Sequence, residues 1–262
     1  LRATTGLCFN CHTRSPKGTS AKIFFSNFKI TQFNLPTLDK VNVYIAMRKY
    51  NEALAAIEKE LETSKTDYMK SYLNRTLIKK YLLICIRGAN RMDKAQLFLQ
   101  KVAKLKNISS FNARLASIWN QDTKNYLKKN MINNELGAKE VFKNESYRLT
   151  FLNEDNFVKN LVYLKSLHSR LDKKISKNER SEIYNFLGQI YDSLNSSSYW
   201  ELPEKYYQMC ILNTPHTQMA KTCYDNYENK MILGYTGSRG TFLPYDIKLR
   251  MKRLKKLSGA KK

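Results

Sequence analysis

From Thr37 onward, apolar residues return every three or four positions with little to interrupt them: the whole 262-residue chain holds only Gly 9 and Pro 5. Such a period lines up one face of an α-helix, because about 3.6 residues make a turn. "RKYNEALAAIEKELE" sets Tyr50, Ala53, Leu54, Ile57 and Leu61 on one face. "DYMKSYLNRTLIKKYLLICIRGA" reads as a long apolar helix ending near Gly88, a suitable C-cap. "RMDKAQLFLQKVAKL" and "FNARLASIWNQDTKNYLKK" continue the pattern, and a later segment lines up Phe157, Leu161, Leu164, Leu167 and Leu171. Ser176 and Glu179 then have the S-x-x-E spacing of a capping box. A last helix is expected from about Pro244, with Leu243, Ile247, Met251 and Leu254 as its apolar stripe. The chain is thus predicted to be all-α. Its expected parts are an irregular basic segment over 1–38, a helical domain over 39–235, and a basic C-terminal capping helix and tail over 236–262.

One helical unit has a more specific pattern. "YNFLGQIY" places Tyr184, Leu187, Gly188 and Tyr191 at W-x2-L-G-x2-Y spacing, with Tyr184 in the Trp position. In "PEKYYQMCILNTP", Tyr207 takes the large aromatic position, Cys210 the small one and Pro215 the closing proline. This stretch resembles a tetratricopeptide repeat, and "RKYNEALAAIEKELE" resembles the second helix of an earlier one. "NSSSYW" makes the connection about three residues longer than the 34-residue period allows, and the chain between the two units does not keep that period. The resemblance implies tetratricopeptide-like stacked helical hairpins. Gly188 would let two helices approach while aromatics fill the gap to the next unit. Hairpins that cannot bury a face alone stack, and the concave surface they build implies a peptide or protein partner.

Charge narrows the partners. Lys and Arg number 46 against 22 Asp and Glu, a net charge of +24. Such a field attracts phosphate, anionic lipid headgroups or acidic proteins, or simply keeps the surface solvated. Residues 1–38 contain no acid; Arg2, Arg14, Lys17, Lys22 and Lys29 are interleaved with Phe9, Phe24, Phe25, Phe28 and Phe33. Residues 247–262 hold eight basic groups and no acid. The favoured role for this last helix is to cap the array, with a membrane-surface or nucleic-acid arm as the alternative. No run reaches the ~18 apolar residues that a membrane-spanning helix needs.

The chemistry-bearing motif lies near the start. Cys8, Cys11 and His12 in "GLCFNCHT" make C-x-x-C-H, the spacing at which haem is attached covalently. Two thiols add to the two vinyl groups, and the adjacent histidine lies beneath the iron as its axial ligand. In these residues the chain resembles c-type cytochromes, which implies haem c held by Cys8, Cys11 and His12, with His12 the metal ligand. His168, His216 or one of eight Met residues could supply a sixth ligand, and a five-coordinate iron is also open. The alternative is zinc, whose fourth ligand would come from Cys85, Cys210, Cys223, another histidine or a carboxylate. A thioredoxin-like redox pair lacks a βαβ context, and a plain disulfide remains open.

Cys85 sits in the apolar run "YLLICIRG" and reads as a small core residue. Cys210 and Cys223 fall on consecutive helices joined by a tight turn, where they form either a disulfide or two small packing positions. A disulfide and covalent haem would agree on a compartment outside the cytosol. "GYTGSRG" lacks the spacing of a nucleotide-binding loop, and no H-E-x-x-H, G-x-S-x-G or triad is present. No enzymatic activity is therefore expected.

Two functions remain. The first is an exported, periplasmic monohaem protein on a helical-repeat scaffold, serving electron transfer or haem-dependent docking to an acidic protein, with peripheral membrane contact possible. The second is a haem-free basic scaffold bound to RNA or a ribonucleoprotein, for example an organellar ribosomal subunit, with a mitochondrial location as the alternative to export. The chain begins at Leu1. A removed signal peptide, a cleaved transit peptide or a trimmed terminus would each leave such a start.

Overall fold

The computed structural model describes residues 34–63, 68–129, 154–194, 202–238 and 240–260. Ten α-helices and one two-stranded ribbon lie among these residues, so the chain is all-α. It divides into two compact units, Leu1–Ser166 and Leu167–Lys262.

In the first unit, α1 (Thr37–Ala46) and α2 (Tyr50–Thr63) form a hairpin, and α3 (Tyr68–Leu83) packs on α2. A second hairpin follows from α4 (Met92–Val102) and α5 (Ser110–Lys128), with α5 also against α3. Ala53, Leu54, Ile57 and Leu61 of α2 are buried, as their spacing requires. The Tyr81 ring stacks on Phe98 at 3.5 Å between centroids and donates its hydroxyl to Glu58 Oε1 at 2.6 Å. The Ser109 hydroxyl caps α5 by accepting from the Asn112 amide. A short 3-10 turn, Glu154–Asn156, is fastened by the fully buried Trp119, whose Nε1 donates to the Glu154 carbonyl at 2.9 Å.

Helix α3 does not stop at Gly88 in the expected way. A π-helical turn, Ile84–Gly88, follows Leu83, and all five of its residues are buried. The left-handed residue that turns the chain is Asn90, with φ 53°. Gly88 serves close approach: a Cβ there would come within 3.2 Å of the Tyr50 ring.

Helix α6 (Phe157–Leu171) also departs from expectation. A single apolar stripe predicts an amphipathic helix. Val158, Asn160, Val162, Tyr163, Ser166 and His168 are nevertheless buried along with Leu161, Leu164, Leu167 and Leu171. The additional apolar residues Val158, Val162 and Tyr163 widen the stripe until it runs nearly round the helix.

The second unit contains α7 (Lys177–Ser193), α8 (Leu202–Asn213), α9 (Gln218–Gly234) and α10 (Tyr245–Ser258). Each packs on its neighbour in sequence, and in addition α7 touches α9 and α8 touches α10. That alternation is the stacking of one helical hairpin on the next. Within the α7–α8 hairpin, Gly188 allows close approach: a Cβ there would lie 2.4 Å from Cε1 of Tyr207, inside any real contact distance. The "NSSSYW" connection lies outside the described residues.

Only half of the expected capping box is used. The Glu179 amide donates to the Ser176 hydroxyl at 3.1 Å. The Glu179 carboxylate accepts instead from Arg170, at 2.6 Å from Nε and 3.2 Å from Nη2, tying α7 back to the end of α6. Between α9 and α10, Thr236–Gly237 pairs antiparallel with Gly240–Thr241. Ile247, Met251 and Leu254 are buried, as expected of a helix that closes a stack, while Gly259 ends α10 in the left-handed region at φ 71°.

Candidate functional site

Cys8, Cys11 and His12 lie outside the described residues, as do Phe24, Phe25 and Phe28. The residues around which a site can be built are therefore those of the helical units.

In the second unit, Cys210 on α8 and Cys223 on α9 are joined as a disulfide, with Cα atoms 6.3 Å apart and both side chains fully buried. The turn between them uses Thr217 as N-cap for α9, its hydroxyl accepting from the Ala220 amide at 3.2 Å. His216 holds the left-handed conformation at φ 60°, is exposed, and donates its amide to the Leu257 carbonyl at the end of α10. The bond removes two of the thiols offered as zinc ligands. The third, Cys85, is fully buried, and burial pushes its thiol up to about 12, which disfavours the thiolate a metal requires. No group of three metal-ligating side chains is assembled among the described residues.

His168 is a packed core residue. It is 5% exposed, its Nε2 is 2.9 Å from the Tyr191 hydroxyl, and its ring meets Tyr191 and Tyr206 edge-on. Tyr191 and Tyr206 stack on each other at 5.4 Å, so the aromatic residues of α7 and α8 form the hairpin's interior.

Among the described residues, exposed rings and cations gather at two centres. In the first unit the Arg75 guanidinium lies between the rings of Tyr72 and Phe111 at 5.5 and 5.4 Å, and Arg114 lies over Phe111 at 5.4 Å. Tyr72 is 66% exposed and Phe111 44%. Arg75 and Lys79 pair with Glu154, and Arg114 with Asp155, so this surface is partly neutralised.

The second centre is the end of the second unit. Leu233 at the close of α9, Phe242 after the ribbon, and Tyr245 and Leu249 on α10 are exposed, with Lys248 over the Phe242 ring at 6.0 Å. Lys248, Lys252, Arg253 and Lys256 are exposed on the same helix. Sequence reasoning identified the charge of α10 and three residues of its buried stripe, Ile247, Met251 and Leu254, whereas Leu243 precedes the helix and is half-buried. That reasoning missed that Phe242, Tyr245 and Leu249, spaced three and four apart, mark a second apolar line on the outer face.

No helix among the described residues is long and apolar enough to cross a membrane. No family model, no curated protein and no solved structure matches the chain.

Proposed function

We propose that this chain is a non-enzymatic docking scaffold of an oxidising compartment outside the cytosol, periplasmic or otherwise exported, and that its N-terminal C-x-x-C-H carries covalent haem. The observation that carries this reading is the Cys210–Cys223 disulfide inside the last hairpins. Such bonds persist where thiols are not kept reduced, and covalent haem attachment belongs to the same surroundings. Haem, when bound, supplies one-electron chemistry; Cys8 and Cys11 would hold it and His12 would ligate its iron. The tetratricopeptide-like hairpin closed at Gly188 and Tyr207, and the contacts of α7 with α9 and of α8 with α10, support the docking role, since stacked hairpins leave a continuous surface for a partner. The net charge of +24 favours an acidic partner. The test is a visible spectrum of protein from its native source, before and after dithionite. A sharp reduced α-band that stays with the protein through acid–acetone extraction is expected. A featureless spectrum would end the haem reading.

A second reading rests on the Tyr72–Arg75–Phe111–Arg114 surface. Exposed rings beside guanidinium groups suit stacked bases and phosphates, as in a scaffold for RNA or a ribonucleoprotein in a mitochondrion. On that reading oligonucleotide affinity falls steeply with salt and weakens on replacement of Tyr72 and Phe111 by Ala.

A further inference from the structure

We propose that the outer end of the second unit, built from the close of α9, the ribbon and α10, is an anchor for a membrane surface of anionic phospholipid. The inner face of α10 is committed, because Ile247, Met251, Leu254 and Ser258 are buried in contact with the stack. At 100° per residue, the opposite face carries Tyr245, Leu249, Lys252 and Lys256, with Lys248 and Arg253 on its flanks.

That face is sorted along its length. Its N-terminal end gathers the exposed apolar side chains, beside the exposed Asp246 and Lys248: Tyr245 is 76% exposed and Leu249 50%, joined by Phe242 at 78% and Leu233 at 76%. Its C-terminal end is cationic, and Lys252, Arg253 and Lys256 are exposed without an acidic partner among the described residues. At ~1.5 Å per residue, Tyr245 and Lys256 stand about 16 Å apart along the helix. Such a helix can dip its apolar end ~5–10 Å into the headgroup–acyl boundary while its cations stay level with the phosphates.

Lipid fits this surface better than nucleic acid does. Leu233 and Leu249 gain from hydrocarbon but offer no π-face to a base, and although Lys248 lies over Phe242, the cations Lys252, Arg253 and Lys256 follow on a stretch of α10 with no further aromatic. Nothing in this inference depends on haem.

The experiment is vesicle co-sedimentation of the full chain at ~0.1 M salt. The vesicles are phosphatidylcholine alone or phosphatidylcholine with about one third phosphatidylglycerol, a fraction that gives a strongly negative surface. Binding to the anionic vesicles is expected to be at least tenfold tighter than to the neutral ones. Reversal of charge by Lys252→Glu, Arg253→Glu and Lys256→Glu should abolish it. Phe242→Ser with Leu249→Ser leaves the net charge unchanged and should weaken it about tenfold, and Leu233→Ser alone should weaken it less. All these positions are exposed, and circular dichroism checks that each variant keeps its helices. Equal binding to both vesicle types would overturn the proposal. So would unchanged anionic binding in the Phe242→Ser, Leu249→Ser variant, because net charge alone would then be the cause. A uridine oligonucleotide bound more tightly than the vesicles, and weakened by the same substitutions, would assign the surface to nucleic acid instead.

Discussion

Gly188 and Tyr207 show how much one side chain decides. With a Cβ only 2.4 Å from Cε1 of Tyr207, Gly188→Ala forces a buried ring to move. Overpacking of this kind costs about 1–3 kcal/mol, and the upper end is expected because the ring is enclosed. Urea denaturation checks it, and Tyr207→Leu in the Gly188→Ala background should recover part of the loss. Asp122 gives a residue-scale prediction about pH. Burial pushes its carboxyl up to about 6, with Asp155 adding to the rise and Lys159 opposing it. A folded-state value above the unfolded one means that the protonated form stabilises the fold. That stability is fully present below about pH 4 and is lost as pH rises through 6. Asp122→Asn should flatten stability across that window. It should raise stability at pH 7 by about 1 kcal/mol, the half-buried position allowing water to screen much of the shift. Thermal melts from pH 4 to 7 would show it, and parallel curves for the two proteins would refute it.

At the scale of elements, the helices were legible because burial follows a 3.6-residue period; α2 buries Ala53, Leu54, Ile57 and Leu61 of the face its spacing names and leaves Tyr50 half-buried at its start. What was not legible is where several faces compete. Helix α6 is buried nearly all round, since Tyr163 and the valines beside its leucine stripe are also apolar. The end of α3 was misread because glycine is the common left-handed cap, whereas here Asn90 takes that conformation and Gly88 answers to the Tyr50 ring. The outer face of α10 was hidden by its own charge: eight basic groups in 247–262 draw attention away from Phe242, Tyr245 and Leu249. Between α8 and α9, the disulfide closes a loop of 13 residues' separation. A loop of that size is constrained by about 3 kcal/mol in the unfolded state. Melting with and without reductant should therefore differ by several degrees, and the Cys210→Ser, Cys223→Ser variant should melt at the lower temperature in both conditions. Identical melts for the oxidised and reduced protein would mean that packing alone holds the hairpin.

For the whole molecule, architecture and function were legible to different degrees for a physical reason. An all-α chain follows from a pattern spread over most of the sequence, so the misreading of one residue does little harm. A site depends on a few atoms, and the C-x-x-C-H at Cys8, Cys11 and His12 is a local spacing that says which chemistry would suit it without placing a partner around it. The disulfide also has a mechanical consequence. If the chain is drawn from its two ends, tension passes across the bond from Cys210 to Cys223, and the residues between them bear none of it. The turn holding Thr217 and His216 would stay slack after its surroundings had come apart. The fully extended molecule would be shorter by about 40 Å than its reduced counterpart, so that the redox state of one bond could be read as a length.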